Sequence, residues 1–93
     1  MLNVEKRKFH IVREAQTLEK IAEFYSVSVY LLARENALTE QPFIGQVLKI
    51  SKQAGNAYFV KDGDTKALLC GSEEAYEQKN GTDIFYIGMR VIL

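Results

Sequence analysis

His10-Ile11-Val12-Arg13-Glu14-Ala15-Gln16-Thr17 and Tyr58-Phe59-Val60-Lys61-Asp62-Gly63-Asp64-Thr65 decide how this chain is read, because every position of one has a counterpart in the other. Each runs through a ring residue, an apolar residue, Val, a cation, an acid, a small residue, a polar residue and Thr. The offset is 48 throughout. Further on, Gly45-Gln46-Val47-Leu48-Lys49-Ile50 lies over Gly88-Met89-Arg90-Val91-Ile92-Leu93, a Gly before a strand-like run, at an offset of 43. Self-similarity of this kind marks a repeated supersecondary unit. The reading is two tandem units, 9–50 and 58–93, joined by the small and polar linker 51–57, with the second unit shortened between its landmarks.

Within the first unit, Phe9 to Val12 is a short β-prone run. Thr17 then offers a hydroxyl to the orphan amides of a first helical turn, and Glu19 suits the positive end of the dipole. Leu18, Ile21, Ala22 and Tyr25 fall at i, i+3, i+4 and i+7, one apolar helical face. Ser26-Val27-Ser28 interrupts that face, and Ser28 caps a second helix that runs through Leu31 and Leu32 to Asn36. Gly45 turns the chain into a second strand, Val47 to Ile50. The second unit repeats the order: strand at Tyr58 to Lys61, little more than one helical turn between Thr65 and Cys70, a helix capped by Ser72, and a closing strand. Asn80-Gly81 ends that last helix, or forms a tight hairpin turn between Tyr76–Lys79 and Asp83–Ile87. With fewer residues between Thr65 and Asn80 than between Thr17 and Asn36, the helices of this unit are expected to be trimmed.

The 93 residues are 47% hydrophobic and 26% charged, with twelve Lys and Arg against twelve Asp and Glu. Such a composition is that of a globular chain, and zero net charge removes the uniform basic field that attracts nucleic acid. A chain this short has little core to spare beneath a deep catalytic cleft. One Cys closes no internal disulfide, and one His with one Cys does not make a four-ligand zinc centre. No apolar run reaches the roughly 20 residues of a membrane span. None of signal-peptide length follows the basic Lys6-Arg7-Lys8, so the expectation is cytoplasmic synthesis.

The repeated unit resembles the LysM module, a small carbohydrate-binding domain of bacterial walls and chitin receptors. Phe9-His10-Ile11-Val12, Ala15-Gln16-Thr17-Leu18, Ile21-Ala22, Tyr25, Val27-Ser28, Leu31-Leu32, Asn36 and Gly45-Gln46-Val47-Leu48-Lys49-Ile50 follow that family's order and spacing. Tyr58, Val60, Gly63-Asp64-Thr65, Asn80 and Gly88-Met89-Arg90-Val91 are similar to a shortened copy. The departures are Ala15-Gln16 where the family has Gly-Asp, and Lys66 where an apolar residue starts the helix.

The resemblance implies an α+β fold of two βααβ modules, each a two-stranded antiparallel sheet packed on two short helices. It also implies non-catalytic binding of an N-acetylglucosamine chain, in peptidoglycan or a chito-oligosaccharide, without cofactor or metal. The ligand would lie in a shallow groove between the loop after the first strand and the loop before the last. The first groove would set Ala15, Gln16, Thr17 and Leu18 against Leu38, Pro42, Phe43 and Ile44. The second would set Gly63, Asp64 and Thr65 against residues 81–87. Backbone groups of two loops suit an acetamido group, and the apolar side chains suit its methyl and the sugar face.

Competing readings are weighed on the same residues. Thr17 and Thr65 serve as helix caps whether or not they touch a ligand, and Asn36 and Asn80 serve as helix terminators. His10 is a packed residue, and Cys70, in Ala67-Leu68-Leu69-Cys70, is a small hydrophobe. Adjacent Glu73 and Glu74 fit a helix dipole better than a pair of glycosidase carboxylates. Thr17 to Asn36 also has the look of a helix-turn-helix, but Arg34 is cancelled by Glu35, and Tyr30 and Leu31 stand where base-reading groups belong, so nucleic acid and membrane are not expected partners. The alternative function is an assembly adaptor of a spore envelope or phage tail that binds protein rather than sugar. With so little core per module, the two are expected to pack together, or the chain to form a homodimer, covering part of Phe59, Phe85 or Tyr86.

Overall fold

The computed structural model describes residues 8–93; the basic N-terminal run, apart from Lys8, lies outside the described residues. The element order is β1 (Lys8–Ile11), α1 (Leu18–Tyr25), α2 (Val29–Glu35), β2 (Val47–Ile50), β3 (Ala57–Phe59), α3 (Lys66–Cys70), α4 (Glu73–Asn80) and β4 (Arg90–Ile92). The fold is α+β, with β1 antiparallel to β2 and β3 antiparallel to β4, so each sheet closes within its own half of the sequence.

Hydroxyl caps begin all four helices. Thr17 Oγ1 accepts from the Lys20 N–H at 3.2 Å, Ser28 Oγ from Leu31 at 3.3 Å, Thr65 Oγ1 from Leu68 at 3.1 Å and Ser72 Oγ from Ala75 at 3.0 Å. Each cap satisfies a backbone donor that has no partner inside its helix, a contribution of about 1 kcal/mol. The apolar stripe of α1 buries Leu18, Ile21 and Ala22 against Val12, Val27, Leu32, Leu48 and Ile50. Burying a side chain such as Leu32 or Leu48, both fully enclosed, stabilises by about 2 kcal/mol. The second core is smaller: Val60, Tyr76, Met89 and Val91, with Tyr58, Leu69, Cys70 and Phe85 packed at its edge.

The repeat holds at the level of single hydrogen bonds. Gly45 N–H donates to Val12 O at 2.7 Å, and Gly88 N–H donates to Val60 O at 2.8 Å. The Asn36 side chain accepts from Lys49 N–H and donates to Lys49 O and Leu32 O; Asn80 does the same with Ile92 N–H, Ile92 O and Tyr76 O. Each Asn therefore ties the end of a second helix to the closing strand of its own sheet. That is more than helix termination, and it explains why a side-chain amide, with both donor and acceptor, is needed there.

Three expectations are corrected. The hairpin around Asn80-Gly81 does not form, because 73–80 are helical and Asn80 is fully buried against β4. Of the two helices only α3 is trimmed, five residues against eight in α1, while α4 with eight is longer than α2 with seven. The two halves do pack together, but neither Phe59 nor Tyr86 is covered by it, at 60% and 55% exposed, and Phe85 is half-buried in its own core.

The contact between halves is made by the start of α2 and the end of α4. Ser28 Oγ donates to Asn80 O at 2.6 Å, Arg90 Nη1 donates to Val27 O at 2.9 Å, and Gly55 N–H donates to Ser26 O at 3.0 Å. Gly81, at φ +66°, lies so close to Leu31 that an added Cβ would fall 2.6 Å from its Cα. Only glycine permits that approach. With α4 against its first turn, α2 is not a free recognition helix.

Candidate functional site

The loop after β1 is held from inside. Gln16 Oε1 accepts from the Arg13 N–H at 2.9 Å and from His10 Nε2 at 2.8 Å. An amide oxygen only accepts, so Nε2 carries the proton, and in the neutral ring Nδ1 accepts from the Tyr25 hydroxyl at 2.9 Å. The His10 and Tyr25 rings also meet edge to face. The corresponding loop after β3 has the same arrangement with different chemistry: Asp64 Oδ2 accepts from the Lys61 N–H and from the Tyr58 hydroxyl, both at 2.7 Å. The Tyr58 hydrogen bond, then the Lys61 N–H, hold the Asp64 carboxyl below its usual range. The same bond to the carboxylate raises the Tyr58 phenol above its own.

Both loops need a left-handed residue before the polar one. Gly63 takes φ +91° without strain, whereas Ala15 holds φ +65° against its Cβ. The sequence-level substitution of Gly by Ala therefore leaves the loop shape intact at some local cost.

Around the first groove, Ala15 is exposed, Gln16 faces inward, and Thr17 is committed to its cap. The Leu18 side chain is buried in the first core, and that of Leu38 packs partly buried against it. Pro42 is half-buried, and Phe43 and Ile44 project outward at 69% and 66% exposed. Gln41, which no sequence pattern singles out, crosses between the two loops. Its Oε1 accepts from the Leu18 N–H at 2.7 Å and its Nε2 donates to Glu19 Oε1 at 3.0 Å. A carboxamide thus occupies the backbone donor at the start of α1, between the two loops.

In the second groove, Asp64 and Thr65 line an open hollow of about 330 Å³ with Lys66, Ala67, Glu73 and Phe85. Phe85 comes from the 81–87 loop, so the two loops do face each other across it. Exposed Gly63 turns the chain just before this wall. Lys66 replaces the buried Leu18 by laying its stem across the core: its Nζ sits 5.6 Å from the Tyr76 ring centre and 3.8 Å from Glu77 Oε2. Tyr76, its phenol pushed up to about 12 by burial, stays neutral and donates a hydrogen bond to Ile84 O at 2.7 Å, bracing the 81–87 loop. Burial likewise raises the Cys70 thiol, away from the reactive thiolate form.

Among the described residues no group of three or more His, Cys, Asp or Glu could hold a metal ion, and no helix is long and apolar enough to cross a membrane.

A strand, two capped helices and a returning strand, with Gln41 of one loop reaching the helix start after the other, define a small βααβ module. Residues 10–51 match the LysM domain model. No curated protein matches the sequence. Among solved structures, the spore cortex-lytic enzyme SleL of Bacillus cereus is 20% identical, aligning with 95% of this chain and 23% of its own at a TM-score of 0.47. SleL of Bacillus megaterium QM B1551 is 25% identical, over 94% of this chain and 22% of its own, also at 0.47. The chain spans less than a quarter of the length of either protein.

Proposed function

We propose that the chain is a non-catalytic binder of N-acetylglucosamine-containing glycan, peptidoglycan or chitin-type, built from two LysM-like modules at 9–50 and 58–93 with 51–57 between them. The observation that carries this reading is the family match over 10–51, in which the two loops meet at the Leu18 N–H. That donor is paired with a primary carboxamide, the nearest side-chain analogue of an acetamido group, so the position selects for amide oxygen. An acetamido oxygen would displace Gln41 Oε1 there, with Phe43 and Ile44 beside it for the sugar face. The second groove needs no such displacement at its hollow between Asp64, Thr65 and Phe85. Neutral net charge is no handicap for an uncharged polymer.

Titration of the full chain with chito-oligosaccharides and muropeptides, followed by amide chemical shifts, tests the reading. Shifts at Gln16, Thr17 and 37–44, at 63–66, or at both are expected; silence at millimolar ligand rejects it. Gln41→Ala is expected to tighten binding at the first groove several-fold by removing the internal competitor.

A second reading, the assembly adaptor, is favoured by the outer face of β1 and β2, where Phe9, Ile11 and Val47 are each more than half exposed on one side of the sheet. Ile11→Lys would then abolish association with an assembly partner while leaving the glycan titration unchanged.

A further inference from the structure

The two halves enclose, beside their contact, a cleft of about 340 Å³ that neither loop groove uses. Glu19 and Glu23, one turn apart on α1 and so on one helix face, form one wall. Tyr30 from the first turn of α2, Phe59 from β3 and Tyr86 from the turn before β4 supply the others. Arg90 also borders the cleft, but its Nη1 is engaged with Val27 O. Glu19 accepts at one oxygen from Gln41, and the Glu23 carboxylate has no hydrogen-bonding or ion-pair partner among the described residues. Two carboxylates against one guanidinium leave the cleft with a net negative charge. Its three rings remain 37% to 60% exposed although the halves are packed together.

We propose that this cleft binds a primary ammonium group carried on a peptide side chain. Aromatic faces attract cations and a carboxylate supplies the counter-charge, so the two kinds of wall favour the same occupant. A neutral sugar would strip water from Glu23 without replacing its charge, which disfavours a glycan here. An uncharged apolar ligand meets the same penalty. The proposal goes beyond the glycan reading: a polymer whose sugars bear amine-containing peptides would present sugar to a groove and ammonium to the cleft at once.

The test is an amide-shift titration of the full chain with an N-acetylated, C-amidated Ala-Lys-Ala peptide, and with the same peptide acetylated at the lysine Nε. Saturable shifts at Glu23, Tyr30, Phe59 and Tyr86 are expected with the free amine and not with the acetylated one. Added salt is expected to weaken them, and Glu23→Gln to raise Kd on the order of fivefold with the rest of the spectrum unchanged. Tyr86→Ala, at an exposed position, should weaken binding comparably. Absence of saturable shifts, equal binding of the acetylated peptide, or indifference to Glu23→Gln would each overturn the proposal. Chito-oligosaccharide added to the same sample separates the two readings: amine binding without loop shifts rejects the glycan reading alone, and loop shifts without amine binding reject the ammonium cleft alone.

Discussion

The two βααβ units share their hydrogen-bond plan and differ in what fills it. In the first, a His–Gln pair braces the loop after the opening strand, the helix starts on a buried Leu, and Ala occupies two left-handed positions. In the second, a Tyr–Asp pair braces the same loop, the helix starts on Lys66, and those two positions are Gly. The core of the second unit is smaller and α3 has a single turn, yet its Asn80 is fully buried where Asn36 is only half-buried. The difference teaches that the shortened unit draws its order from its neighbour: α4 is anchored by Ser28 and Leu31 of the other half as well as by its own sheet.

The sharpest break of this comparison is at the paired positions Ala37 and Gly81. Both are left-handed, at φ +53° and +66°, but only Gly81 abuts the Leu31 backbone. Gly81→Ala is expected to cost about 3 kcal/mol and to lower Tm by on the order of 10 °C or more, from overpacking added to backbone strain. Ala37→Gly, which meets no such wall, is expected to change stability by less than about 1 kcal/mol. Thermal unfolding of the two variants measures the contrast; equal effects would show that the halves do not depend on this contact.

Next in size are the Asn clamps. Asn80→Ala leaves the buried Ile92 N–H and carbonyl unpaired and should cost about 2–3 kcal/mol, whereas Asn36→Ala exposes the Lys49 groups to water and should cost about 1 kcal/mol. Urea midpoints would rank them, and a reversed order would place the anchoring in the wrong unit.

The smallest effect concerns pH. The Asp64 carboxyl is held below its usual range, so its contribution is present above the unfolded value near 4 and is lost as pH falls through the lower folded one. Wild-type Tm is expected to drop between pH 5 and pH 3, and Asp64→Asn to reduce that drop. Gln16, at the matching position, does not titrate, so Gln16→Glu should introduce an acid sensitivity of its own. A wild-type profile unchanged by Asp64→Asn would remove the Tyr58–Asp64 bond from the account.

Much of this was legible in the residues. The four hydroxyl caps, the one-turn α3 and the pairing of strands across each unit all follow from local pattern and from the offsets of 48 and 43. What local pattern does not encode is contact between distant positions. Gln41 reaches Leu18 across 23 residues, and its role depends on the path of a loop with no periodicity. The junction of the halves is made by backbone carbonyls, two glycines, the Ser28 hydroxyl and the Arg90 guanidinium, none of which carries a hydrophobic signal. Of the aromatic residues expected to be partly covered there, Phe59 and Tyr86 border the cleft beside the junction and Phe85 packs against its own core. Leu18 takes its burial in the first core from the phase of α1, whereas Leu38 reaches the edge of that core from the loop after α2.

Closure of each sheet within its own unit has a consequence for biosynthesis. The first unit holds all of its strands and helices by Ile50, so it can collapse on the ribosome while the second is still being made. Its α2 then presents the Ser28 hydroxyl and the Leu31 backbone as a ready template when Asn80 and Gly81 emerge. The weaker half is thereby spared a nucleation step that a five-residue α3 is poorly equipped to supply, an order of events that pulse-labelled hydrogen exchange would read directly.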